Sequence, residues 1–173
     1  MVPFFGQGTN CGFEDVLEFL RLLEANGNHI APDMFERYDA TRRPNAEAIQ
    51  HMALDNFHEM QSRVADPEFL LIKGIENVLE TECPELYRSR YAMVCYGGLG
   101  NVSYYNAWRL GYLQEELRKK LAEGLKSPEE LDLKKAKEML RKHLLPVQKR
   151  LGIDLTTVNH EFWNQGGHTK SKL

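Results

Sequence analysis

The chain has 173 residues and a mass of 20.0 kDa, and 22 Lys+Arg against 25 Asp+Glu leave a net charge of −3. A hydrophobic fraction of 42% with 27% charged residues describes a soluble globular chain of about one domain, with enough apolar side chains for a core. No apolar run approaches the roughly 18–20 residues that span a bilayer, Met1 to Phe5 lack the basic start of a secretory signal, and three cysteines without a CxxC pair exclude a disulfide framework or a cysteine zinc site. A cytoplasmic protein is the expectation, with Cys11, Cys83 and Cys95 as reduced small hydrophobes.

In chain order, an apolar, proline-stiffened approach leads into a glycine-rich loop, Gly6-Gln7-Gly8-Thr9-Asn10-Cys11-Gly12. An amphipathic helix is predicted from about Gly12 to Asn26, capped by Asn10, with Phe13, Val16, Leu17, Leu20 and Leu23 on its buried face and Asn26-Gly27-Asn28 as its stop. A short helix follows from Asp33 and should break at Arg42-Arg43-Pro44, because the residue before proline disfavours the α region. Asn45 to Val64 reads as a long helix, and Asp66-Pro67 caps the next one, which ends near Cys83-Pro84. Tyr91 to Tyr96 fits a buried strand or a helical turn equally well, and residues 97–101 read as a flexible loop. Ser103 to Ala122 is helical; Ser127-Pro128-Glu129-Glu130 forms a capping box that opens a last helix, with Pro146 kinking or ending it. A frayed tail is expected from Asp154.

The sum is an all-α chain with no βαβ pattern and no GxGxxG after a strand. The segments group as a loop with its following helix (1–26), a helical region (27–123), a basic helix (124–153) and a tail (154–173). The net charge hides an asymmetry: residues 1–117 carry 9 Lys+Arg and 18 Asp+Glu, whereas 118–173 carry 13 and 7. The lysines alternate with glutamates at helical spacing and lack aromatics for base stacking, so a solvated face is favoured over nucleic-acid binding.

A glycine loop feeding a helix aims several free N–H groups and the positive end of a dipole at one spot, which suits an anion or an electron-rich carbonyl. His51, Asp55, His58 and Glu59 have spacings that partly share a helix face, but no second motif completes a di-metal site, so no metal is expected. Cys11 is the one thiol near a helix N-terminus and lacks a base, which favours packing over catalysis.

Taken whole, Val2-Pro3-Phe4-Phe5-Gly6-Gln7-Gly8-Thr9-Asn10-Cys11-Gly12-Phe13-Glu14-Asp15 resembles the second flavin-binding motif of the group A FAD-dependent aromatic hydroxylases, most closely those of the kynurenine 3-monooxygenase type. Residues 43–60, from Arg43 to Met60, resemble the helix of that family that borders the substrate, and Arg90-Tyr91-Ala92-Met93-Val94 resembles a later segment returning to the same pocket. The resemblance implies the C-terminal, mainly helical part of such an enzyme, without its dinucleotide-binding half and not catalytic alone. It implies FAD as cofactor and NADPH as reductant, with Gly6, Gln7, Gly8, Thr9 and Asn10 facing the flavin. Phe4, Asn56 and Tyr91 would face kynurenine, the last two at its amino-acid end. An amide and a phenol hydrogen-bond a carboxylate without burying a charge. Thr9 departs from the methionine common in the family. Beyond about residue 125 no resemblance is recognisable, and the membrane-anchoring segment of animal members is not seen. The competing expectation is a non-enzymatic helical scaffold that self-associates through an apolar surface around Phe4, Phe5 and the first helix.

Overall fold

A computed structural model describes residues 3–62, 66–96 and 102–158. The helices are α1 (Gly8–Ala25), α2 (Met34–Ser62), α3 (Pro67–Glu82), α4 (Arg90–Tyr96), α5 (Tyr104–Ala122), α6 (Leu133–His143) and α7 (Leu145–Leu151), with 3-10 turns at Pro3–Phe5, Pro128–Glu130 and Leu155–Thr157. There is no strand among the described residues, so the fold is all-α. Among them no helix is long and apolar enough to cross a membrane.

α1 begins at Gly8, four residues before its predicted start, so the glycine run is the first turn of the helix. Gln7 occupies the cap position, and the Cys11 N–H reaches its carbonyl at 2.9 Å. Asn10, expected as the cap, lies inside that turn and donates its side-chain amide to Gln7 Oε1 at 2.9 Å. The buried face is also rotated from expectation. Cys11 and Leu22 are buried, while Phe13, Val16 and Leu20 are 65%, 57% and 45% exposed. Polar anchoring explains the rotation. Arg42 of α2 pulls the Cys11, Glu14 and Asp15 side of α1 inward, with Arg42 Nε–Asp15 Oδ1 at 2.8 Å and Arg42 Nη1–Glu14 Oε2 at 3.0 Å. The stop falls where predicted: Gly27 and Asn28 take positive φ, and the Asn28 N–H returns to the Leu23 carbonyl.

α2 runs unbroken through Pro44, against the predicted break. The pre-proline preference is a local bias. It is overridden here by the buried anchor at Arg42, an i,i+4 ion pair between Arg43 and Asp39 at 3.0 Å, and Asn45 Nδ2 donating to the Thr41 carbonyl. α3 is capped as expected, Asp66 accepting from the Glu68 N–H. The ambiguous segment 91–96 is helical, with Ser89 Oγ taking the Ala92 N–H at its start. Ser103 caps α5 by accepting from Asn106 N–H. The predicted capping box is displaced. Ser127 leads only a 3-10 turn, Glu130 accepts from Lys126 N–H, and α6 is capped by Asp132, which takes the N–H groups of Lys134 and Lys135. Residues 155–158 are not frayed, since Leu155 and Val158 are buried in the core. The expected loop at 97–101 and the tail from 159 lie outside the described residues.

Two apolar clusters result. The larger joins α3 to α7 and the following 3-10 turn through Ile75, Leu79, Met93, Leu110, Leu140, Leu144, Leu155 and Val158. The smaller joins the first turn, α1, α2 and α5 through Phe5, Cys11, Ile49, Met52 and Tyr104. All three cysteines are free thiols.

Candidate functional site

Against Phe5 and Met52 of the smaller cluster lies a cavity of about 50 Å³, lined in addition by Asn56, Glu59, Lys73, Glu76, Arg90, Tyr91 and Arg118. Five segments therefore meet there: the first turn, the second half of α2, α3, the start of α4 and α5. Asn56 and Tyr91 share this lining. Phe4 does not; Phe5 takes its place. Phe4 packs its ring on Phe57 at 4.5 Å and gives its carbonyl to Asn56 Nδ2, while the Phe5 ring lies 5.6 Å from that of Tyr91.

The charged lining is the part that sequence reasoning missed. Glu76 of α3 accepts from Lys73 at 3.0 Å, from the Tyr87 hydroxyl at 3.3 Å and from Arg118 of α5. Arg90 of α4 pairs with Asp55 at 3.0 Å and Glu59 at 3.8 Å on α2. Burial lowers the pKa of Lys73, and pushes that of Arg118 down to about 10. Burial also raises the Tyr87 hydroxyl. These residues sit on α2, α3, α4 and α5, and in sequence each looks like part of a solvated face. Arg90 carried a signal as the neighbour of Tyr91, and Asp55 and Glu59 as members of the helix-face cluster with His51 and His58; Lys73, Glu76 and Arg118 carried none.

The other candidates lie at the start of α1. Gly8, Thr9 and Asn10 are exposed and occupy the first turn, where N–H groups have no acceptor within the helix. Gly6 takes φ +67°, a left-handed turn that glycine accommodates without a Cβ penalty. Gln7 is different, because its side chain is buried and turned inward. Its Oε1 accepts from Asn10 and, at 3.3 Å, from the Tyr104 hydroxyl, and its Nε2 donates to Cys95 Sγ at 3.5 Å. A wider recess of about 210 Å³ adjoins it, lined by Gln7, Asn10, Phe13, Glu14, Val94, Cys95 and Tyr104. Burial raises the pKa of the Cys11 thiol, and Asp15 reinforces it. That opposes activation of Cys11 as a nucleophile. His51 stacks on Trp108 with ring centroids 5.3 Å apart, and Asp55 is engaged by Arg90.

No family model matches the chain. Individual proteins do. It is 40% identical over 149 residues to a kynurenine 3-monooxygenase of Myxococcus xanthus, covering 86% of this chain and 31% of that protein. It is 47% identical over 97 residues to the protein of that name from Stenotrophomonas maltophilia, covering 56% of this chain and 21% of the relative. The Dictyostelium discoideum protein of that name is 32% identical over 157 residues, covering 83% and 34%. The chain thus spans about a third or less of the length of these relatives. It is a relative of the kynurenine 3-monooxygenases, and what it resembles is their C-terminal portion.

Proposed function

We propose that this chain supplies the substrate-side wall of a FAD- and NADPH-dependent monooxygenase of the kynurenine 3-monooxygenase type, and that it is not catalytic by itself. The observation that carries the reading is the convergence of Phe5, Asn56 and Tyr91 on one cavity, beside the open first turn of α1, in a chain similar to those enzymes. The start of α1 fits a flavin ring. Three exposed residues carry N–H groups without helical acceptors, and the dipole places partial positive charge at the same point. Bound there, FAD would supply the redox and oxygen chemistry of ring hydroxylation.

The chain's own residues bind and orient. Gly8, Thr9 and Asn10 would present N–H groups to the N1–C2=O edge of the ring, favouring negative charge there. The Gln7 side chain, locked inside, would hold that turn rather than touch the cofactor. Phe4 and Phe5 would cover the ring edge and keep water from the substrate side. Asn56 and Tyr91 would hydrogen-bond the carboxylate of kynurenine.

The isolated chain is expected to lose FAD on gel filtration; a stoichiometric yellow complex of the chain alone would contradict its dependence on a dinucleotide-binding part. In a flavin-loaded enzyme containing this segment, kynurenine should stimulate NADPH oxidation. Stimulation by a different aromatic acid, and none by kynurenine, would reassign the substrate.

One observation favours a second reading, in which the chain is a self-associating scaffold. Phe13, Val16 and Leu20 form an exposed apolar stripe along α1. A mass in light scattering that stays monomeric across concentrations would count against it.

A further inference from the structure

Gly111 stands inside α5, where glycine is the least favourable residue short of proline. Its reason is steric. A Cβ there would lie 2.9 Å from Arg90 Cδ and 3.4 Å from Arg90 Cβ and Cγ. The missing side chain is therefore a notch through which the Arg90 stem crosses α5. Beyond the notch the guanidinium lies 5.9 Å from the centre of the Tyr112 ring and pairs with Asp55 at 3.0 Å and Glu59 at 3.8 Å. Those two acids, one helical turn apart on α2, bracket Asn56 in sequence. Arg90 itself is the first residue of α4 and precedes Tyr91. α2 and α4 each pack on α5 and have little backbone contact with one another. The Arg90 ion pairs are a direct tie between the helix that carries Asn56 and the helix that carries Tyr91.

Building on the reading above that Asn56 and Tyr91 hold the amino-acid end of the substrate, we infer that Arg90, seated in the notch left by Gly111, is a positioning residue that sets Asn56 and Tyr91 relative to each other. Arg90 need not touch substrate for this role. Its planar fork reaches two carboxylates at once, which a lysine ammonium cannot copy with the same geometry. Because Gly111 acts only by making room for Arg90, enlarging residue 111 should matter only while Arg90 is there.

The 173-residue chain labelled with 15N and 13C gives the first readout: the side-chain amide signals of Asn56 and the ring signals of Tyr91. Gly111→Ala and Arg90→Met should each move both sets, and the double variant should move them no further than Arg90→Met alone. Arg90→Lys should fall between wild type and Arg90→Met. Additive shifts in the double variant overturn the proposal. Should Arg90→Met lose the dispersed methyl signals of buried Leu140 and Leu144, Gly111→Ala decides alone. Alanine favours a helix, so a raised melting temperature with Asn56 and Tyr91 unmoved overturns the inference, and moved signals uphold it.

The second readout uses the flavin-loaded enzyme containing this segment. Gly111→Ala should raise KM for kynurenine about tenfold with kcat within about twofold; an unchanged KM with reduced kcat would overturn it. If the unsubstituted enzyme does not turn kynurenine over, the functional reading fails, and the resonance comparison still decides the positioning role.

Discussion

Arg42 reaches from α2 to Glu14, Asp15 and the carbonyl of Cys11, and so fixes which side of α1 faces the molecule. Arg42→Met would leave two carboxylates without their partner. A loss of about 2 kcal/mol is expected in chemical denaturation, less than for a fully buried pair because Asp15 stays partly in water. Glu14 adds a pH signature. Burial raises its pKa above 4.5 and outweighs the hydrogen bond from Arg42 that lowers it. A carboxyl raised in the folded state favours folding while protonated, and that contribution is lost as pH rises through the shifted value. Glu14→Gln should therefore gain stability relative to wild type as pH increases from 4 towards 7; a constant difference would contradict the shift. At this scale the sequence motif singled out Asn56 and Tyr91, which line one cavity, and Phe4, whose neighbour Phe5 lines it instead, since neighbouring phenylalanines look alike until the turn at Gly6 decides which one points inward. Lys73, Glu76 and Arg118 were not legible, because a buried ion network spread over several helices has the same sequence pattern as exposed charged faces.

The helices themselves were mostly legible from their caps, and the misreadings have local physical reasons. Asp132 displaces Ser127 as the cap of α6 because its carboxylate takes two N–H groups, whereas Ser127 makes no side-chain cap bond. Asp132→Ala should cost about 1 kcal/mol and Ser127→Ala only a few tenths, a difference that thermal denaturation can resolve. The 3-10 turn beside them is held to α3 at a glycine. A Cβ on Gly74 would lie 2.2 Å from Pro128 Cγ, too close for either backbone to stay in place. Gly74→Ala is expected to destabilise by about 2 kcal/mol despite alanine's better helix propensity. Neither this contact nor the continuity of α2 through Pro44 has a sequence signature, because each depends on what lies across from it.

Across the whole molecule the two apolar clusters divide the labour. The larger joins α3 to α7 and extends to Val158, so residues 155–158 belong to the core. Leu155→Ala should accordingly cost about 2–4 kcal/mol, close to an interior leucine and unlike a tail residue. The smaller cluster holds α1 with few buried apolar side chains, and leaves Phe13, Val16 and Leu20 in water. Local stability should follow that division. In hydrogen exchange, the amides of α1 are expected to open well before those of α5 and α6; uniform protection would contradict two units of unequal strength. The all-α class was legible because it follows from periodicity, whereas the partition into unequal clusters follows from which face of α1 turns inward.

The buried amide of Gln7 makes the first turn directional. Its oxygen meets two donors, from Asn10 and Tyr104, and its nitrogen meets the sulfur of Cys95. Turning the amide end for end would set its NH2 against the Asn10 NH2 and require that amide to turn as well, so the two side chains are coupled in orientation. Glutamate would keep both acceptor contacts but lose the donor, and would bring a negative charge into the interior near Glu14. Leucine would match the volume and orphan both donors. Position 7 is consequently restricted by polarity as well as by size, and a chain drifting under selection for packing alone would not be expected to hold a glutamine there.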